Sequence, residues 1–296
     1  MDDSFLIFDR KRKRLQRQRA AKQPEGYRFL IHEAALRLAD RLEDITRQFP
    51  VTVLLGNHGD VIAPLLPEKA GIHYLLHCDN IAIEPPANFS SPEILAVCGD
   101  EEILPFAEDS CDAVIALFNL HWVNDLPGTL VQIRRILKPD GLFLAIFPGG
   151  DTLKELRQAV TQAAIQLETG LTPRVSPFVD VRDAGMLLQR AGFALPVVDS
   201  ETLTVSYSDA FKLMDDLRGM GESNALLKQQ KSFTRREMLI TIAEEYQQAF
   251  RDEKERITAT FELITLTAWK PHTSQQKSAP RGSGQVSLNQ VLTEKP

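Results

Sequence analysis

The chain has 296 residues, with 34 Lys plus Arg against 40 Asp plus Glu, 43% apolar residues and 25% charged ones. This balance excludes global disorder and collagen-like repeats, and the absence of any run of about 18 uncharged apolar residues excludes a hydrophobic membrane-spanning helix. Three cysteines, Cys78, Cys98 and Cys111, form no C-x-x-C pair, so a cytoplasmic protein without a disulfide framework or cysteine metal site is expected.

The first 30 residues carry nine basic and four acidic side chains, although the whole chain has a net charge of −6. The run Lys11-Arg12-Lys13-Arg14 predicts a basic N-terminal arm over residues 1–26, read as a solvated helix or a surface for a protein partner. Nucleic acid is not the expected partner, because the acidic remainder would oppose it. Met1-Asp2-Asp3 and a short apolar run, Phe5 to Phe8, predict neither a secretory signal nor a transit peptide.

From Tyr27, apolar residues at Ile31, Ala35, Leu38, Leu42, Ile45 and Phe49 predict one face of a helix ending before Pro50. Val51 to Leu55 reads as a strand, closed by the turn Gly56-Asn57-His58-Gly59-Asp60 and a short helix near residues 61–66. Three further apolar runs, Ile72 to Leu76, Ile94 to Val97 and Asp112 to Phe118, end on His77-Cys78-Asp79, Gly99-Asp100 and Asn119-Leu120-His121. Continuous apolar runs suit buried parallel strands, and ligands in such sheets lie beyond the strands' carboxyl ends. Leu126, Leu130, Ile133 and Leu137 mark a helix stopped by Pro139-Asp140-Gly141, and Leu142 to Phe147 a buried strand. Thr152 and Glu155 form a capping-box pattern for a helix to about residue 167, followed by a loop with Gly170, Pro173 and Pro177 that reads as a lid. Helices near 181–191, 209–220 and 235–250 and a strand over 258–269 complete the core, and residues 271–296 read as a disordered tail.

Asp100-Glu101-Glu102-Ile103-Leu104-Pro105-Phe106, Phe118-Asn119-Leu120-His121-Trp122 and Ile136-Leu137-Lys138-Pro139-Asp140-Gly141 resemble the blocks of class I S-adenosylmethionine-dependent methyltransferases. The resemblance implies a Rossmann-like α/β fold over residues 27–270, with a seven-stranded, mostly parallel sheet, an antiparallel late strand and helical insertions at about 170–255. Phe8-Asp9-Arg10, residues 121–127, Gly149-Gly150-Asp151-Thr152-Leu153, Ser176-Pro177-Phe178, Gly219-Met220-Gly221-Glu222-Ser223-Asn224 and Arg281-Gly282-Ser283 are similar to the complex I assembly factor 5 family. A more distant resemblance is to malonyl-carrier-protein methyltransferases.

These resemblances imply S-adenosylmethionine as cofactor, held by Gly56, Asn57, His58, Asp79, Asp100, Glu101 and Asn119, with Asp79 on the ribose and Asp100 with Glu101 at the adenine. They also imply a protein partner, an iron–sulfur subunit of respiratory NADH:ubiquinone oxidoreductase, modified at an arginine, with membrane association through that partner. The turn departs from the family's Asp-Leu-Gly-x-Gly-x-Gly pattern: Leu54 stands for the acid, His58 and Asp60 stand for two of the three glycines, and Gly59 is one place out of step. His121 and Trp122 are the catalytic candidates, as a general base and a pocket wall. No metal site is expected from His58-x-Asp60, or from His73 and His77 on a strand. Three functions stay open: modification of a protein arginine, methyl transfer to a small acid or carrier protein, and a noncatalytic assembly role with a decayed cofactor site.

Overall fold

A computed structural model describes residues 6–81, 92–167, 170, 172–229, 233–276, 282, 283 and 287. Its strands are β1 (Val51–Leu55), β2 (Tyr74–Asp79), β3 (Glu93–Cys98), β4 (Cys111–Leu117), β5 (Leu137–Pro148), β6 (Ala194–Tyr207) and β7 (Ile257–Trp269). The helices are α1 (Arg10–Ala20), α2 (Phe29–Glu43), α3 (Gly59–Ile62), α4 (Leu126–Ile136), α5 (Lys154–Gln166), α6 (Val181–Arg190), α7 (Ala210–Gly219) and α8 (Arg236–Phe250). All seven strands join one sheet in the order β3-β2-β1-β4-β5-β7-β6, with β7 antiparallel to both neighbours. The expected α/β architecture is therefore the observed one. Chain order reverses between β1 and β4, the switch point beyond whose carboxyl ends such sheets place a ligand.

Alternation along the strands divides the core. Leu54, Ile115, Leu117, Leu144 and Ile146 face α2, α5, α7 and α8, whereas Val53, Leu55, Val114, Ala116, Phe143 and Ala145 face α4 and α6. Both faces are covered, which explains why these strands read as unbroken apolar runs.

Several local expectations are corrected. The helix before β1 stops at Glu43, not at Phe49; Phe49 is buried from the loop instead, packed in the core and against Trp269, with its backbone N–H donating to the Ala70 carbonyl at 2.7 Å. The Thr152–Glu155 capping box does not form. Leu153 takes the cap position at φ +57°, while Thr152 Oγ1 donates to the Glu262 carbonyl and Glu155 Oε2 accepts from Thr260 N–H at 3.0 Å, so both side chains fasten α5 to β7. Lys138 to Gly141 form an irregularity inside β5 instead of a break before it. The stretch 170–255 holds β6 as well as α6, α7 and α8. Leu203, Val205 and Tyr207 alternate with Thr204 and Ser206, a two-residue period that marks this edge strand. The expected disordered tail lies largely outside the described residues.

Candidate functional site

The turn after β1 is built around a histidine. Gly56 has φ +108°, and a Cβ there would stand 2.8 Å from the Leu117 carbonyl oxygen. His77 lies beneath it, with Nε2 2.6 Å from the Gly56 carbonyl, which makes Nε2 the protonated nitrogen. A Cβ on Gly59 would meet the His77 ring at 2.5 Å. The glycine out of step with the family pattern thus makes room for His77, and the turn closes through a side chain. Leu54 is buried in the core. His58 is buried too, and Asn57 is half-buried, but Asp60 is exposed and pairs with Arg28, so His58 and Asp60 serve different surroundings.

The acids singled out by sequence come together beyond the strand ends, around Arg10 and Arg17. Asp79 ends β2, Asp100 and Glu101 follow β3, and Asn119 follows β4. Asp79, Glu101 and Asn119 are each at most 3% exposed. Both Glu101 carboxylate oxygens, both Asn119 amide atoms, Asn80 Oδ1 and Arg17 Nη2 are buried without a hydrogen-bond partner among the described residues. Unsatisfied buried polar groups are costly and rare, and a cluster of them at strand ends is the mark of a polar ligand site. The set has the chemistry a nucleoside would need, carboxylates that accept from hydroxyl and amine groups and, beside Gly56, an amide that can both donate and accept.

The basic arm corrects the sequence reading most. It is not a solvated face: Lys13 and Arg17 are 3% and 4% exposed, although Lys11, Arg12, Arg14 and Arg19 remain in solvent. Arg17 Nη1 donates to Asp79 Oδ2 at 3.2 Å, and Arg10 Nη2 donates to Asp100 Oδ1 at 2.7 Å. Arg10 Nη1 also stands 3.0 Å from Glu101 Oε1, as an ion pair rather than an aligned hydrogen bond. Lys13 Nζ donates to the Gly221 carbonyl at 2.6 Å and to Glu222 Oε1 at 2.9 Å, and lies 3.8 Å from the centre of the Trp122 ring. The backbone N–H groups of Ile7 and Phe8 donate to Asn124 Oδ1. Gly221, at φ +79°, lets Ala20 pack where a Cβ would stand 2.9 Å from it. Three blocks far apart in sequence, 8–10, 121–125 and 219–224, therefore meet on α1.

Glu222 joins these blocks. Its Oε2 accepts from Trp122 Nε1 and pairs with His121 Nε2, each at 2.8 Å, while Oε1 takes Lys13. His121 and Trp122 are thus tied to one carboxylate. Trp122 walls a cavity of about 550 Å³ whose apolar lining includes Phe118, Leu153, Leu156, Phe178, Met214 and Ile242; His121 is not in that lining. Loop residues 172–176 also line it, where the lid was expected. Glu222 and the arm cations were not singled out from sequence as site residues, although Glu222 belongs to the 219–224 block.

Burial pushes His58 down to about 3, helped by the charge of Arg17, and burial also lowers His121 against the pull of Glu222. Burial alone would raise Glu222, but Lys13 and His121 outweigh it and hold its carboxyl well below the usual range. An unfolded histidine binds its proton near pH ~6.5. Between that pH and 3 the unfolded chain holds more protons than the folded one, so stability falls as pH falls. Glu222 adds to the loss below its unfolded value of ~4.3. The urea midpoint is expected to drop from pH 7 to pH 5, and His58→Gln, which cannot take the proton, to show a shallower slope. An unchanged slope would assign the acid sensitivity to other groups.

Residues 75–145 match a family model described as a methyltransferase domain. The human protein named "Arginine-hydroxylase NDUFAF5, mitochondrial" is 43% identical over 289 residues, which cover 96% of this chain and 83% of that protein. This chain belongs to the NDUFAF5 family. A Dictyostelium discoideum member is 34% identical over 97% of this chain and 71% of its own. Beyond the NDUFAF5 family, a malonyl-[acyl-carrier protein] O-methyltransferase of Gallionella capsiferriformans is 32% identical, over 90% of this chain and 92% of its own. The solved structure of the YcgJ protein of Bacillus subtilis shares the fold, with a TM-score of 0.52 at 14% identity over 81% of this chain and 99% of that one.

Proposed function

We propose that this NDUFAF5-family chain holds S-adenosylmethionine, or a nucleoside of that shape, in the crevice between β1 and β4, and acts on an arginine of a protein partner. The partner is an iron–sulfur subunit of respiratory NADH:ubiquinone oxidoreductase. The observation that carries the reading is the 43% identity across 96% of the chain to a protein named as an arginine hydroxylase. When bound, S-adenosylmethionine supplies an activated methyl group. Asp79, Asp100, Glu101 and Asn119 would bind and orient the nucleoside, and Trp122 and Phe118 would shield the reacting end from water. His121, neutral and bonded to Glu222, is suited to position Trp122 and the arm rather than to act alone as a base.

The test is mass spectrometry of the partner subunit from cells with and without the chain. One arginine is expected to carry an added oxygen, drawn from dioxygen with an external two-electron reductant because the methyl group of S-adenosylmethionine supplies no oxygen, that disappears on deletion, returns with the wild type and does not return with Asp79→Ala. The same mass in all strains would overturn the reading; an added methyl group would redirect it to methyl transfer.

A second reading, methyl transfer to a carboxylate on a small acid or carrier protein, is supported by the cavity itself. Its walls are mixed apolar and polar, Arg12 and Arg218 line it, and among the described lining residues the one acid, Glu222, is already neutralised by Lys13. An entering guanidinium would meet like charge there, and a carboxylate opposite charge. Transfer of labelled methyl from S-adenosylmethionine to an acyl carboxylate would favour this reading.

A further inference from the structure

Arg10, Lys13 and Arg17 are spaced three and four residues apart, so they form one stripe along α1, and that stripe faces the crevice. Each meets a carboxylate already there. Arg17 bonds the same Asp79 carboxylate that a ribose would need, and Arg10 holds Asp100 while standing beside Glu101 at the place of the base. The closure is incomplete. Arg17 Nη2, both oxygens of Glu101 and both amide atoms of Asn119 are left without hydrogen bonds. A buried network satisfied only in part is poised to exchange partners, because a ligand that completes it recovers bonds the closed state lacks.

The arm is held in a way that permits exchange. The crevice-facing side chains of α1 are charged, and of its apolar residues only Ala20 is buried. Its remaining anchorage is the small cluster of Phe8, Trp122, Ala225 and Leu226, separate from the two sheet cores, together with the bonds of residues 7–9 to Asn124 and Ala225, the Gln16 amide on the Asn224 carbonyl and Ala20 against Gly221. Phe8 meets Trp122 edge-on at 5.1 Å between ring centres. Undocking α1 would therefore leave the two sheet cores closed, while breaking the buried Lys13–Glu222 pair.

We infer that α1 is an intramolecular strap over the nucleoside crevice, whose Arg17 competes with the ligand's ribose for Asp79, so that ligand entry displaces the arm. The inference rests on the nucleoside reading of the crevice. Cofactor affinity is then set partly by the arm, and any partner that draws the exposed cations Lys11, Arg12, Arg14 and Arg19 away from the body raises that affinity.

The test uses the full chain, with S-adenosylhomocysteine as the titrated probe and hydrogen exchange of the α1 amides as a second readout. Arg17→Met is expected to bind the probe at least tenfold more tightly than the wild type. Since that change leaves Asp79 buried without its cation, Phe8→Ala is the companion variant; it loosens the arm from outside the crevice and is expected to shift affinity in the same direction. In the wild type, saturating probe is expected to speed exchange in α1. Binding by the variants alone would support the strap in its tightest form. Equal or weaker binding by both folded variants, with α1 exchange unchanged or slowed by the probe, would overturn the strap and make Arg17 part of the ligand site, leaving the nucleoside reading intact. Absence of binding in the wild type and in both variants at millimolar probe would overturn both.

Discussion

Replacing Glu222 by Ala is expected to cost about 3–5 kcal/mol of unfolding free energy, the range found when one partner of a buried ion pair is removed. The change would strand the Lys13 ammonium, 3% exposed, and leave His121 Nε2 and Trp122 Nε1 without their acceptor. Burial already pulls Lys13 down to about 8 with Glu222 present, so without it the ammonium keeps the Gly221 carbonyl, the Trp122 face and the charge of Asp79. Urea unfolding followed by far-ultraviolet dichroism measures the loss. The double variant Lys13→Met with Glu222→Gln is expected to be less destabilised than the sum of the single changes, because removing both charges leaves neither stranded. A loss under about 1 kcal/mol for Glu222→Ala would be the value of an exposed pair and would contradict a docked arm.

Gly56→Ala is expected to destabilise the fold by about 2–4 kcal/mol, combining backbone strain at positive φ with overpacking. At φ +108° the new Cβ would stand 2.8 Å from the Leu117 carbonyl and 3.3 Å from Asn119 Cβ. Neither can yield cheaply. Leu117 ends a central strand paired with β5, and Asn119 begins the 3-10 turn that carries His121 and Trp122. The substitution thus pries β1 from β4 where the crevice opens, and nucleoside affinity is expected to fall with stability. Calorimetric melting beside titration with S-adenosylhomocysteine checks both. A melting temperature within a degree or two of wild type would show that the turn has other conformations open to it, since each ~1 kcal/mol shifts the melting temperature of a large domain by about 2–4 °C.

The parts of the site that lie at strand ends were legible because β-strands here announce themselves as apolar runs and stop at polar residues. Asp79, Asp100, Glu101 and Asn119 are where that pattern placed them. The capping box failed because Thr152 and Glu155 found better partners on β7, which a local pattern cannot contain. Likewise, the loss of glycine at 58 read as damage to the turn, and the compensating shift of Gly59 became intelligible only with His77 beneath it.

By itself the sequence determined the sheet, its central strand ends and the family, since burial on both faces of a parallel sheet imposes long apolar runs and turn chemistry imposes its own residues. Only the tertiary structure decided what the basic arm does. A stripe of Arg10, Lys13 and Arg17 has the same periodicity whether it faces water or carboxylates. Its partners, Asp79, Asp100 and Glu222, lie 62 to 209 residues away along the chain, and proximity over such distances is set by the fold as a whole, not by any local spacing.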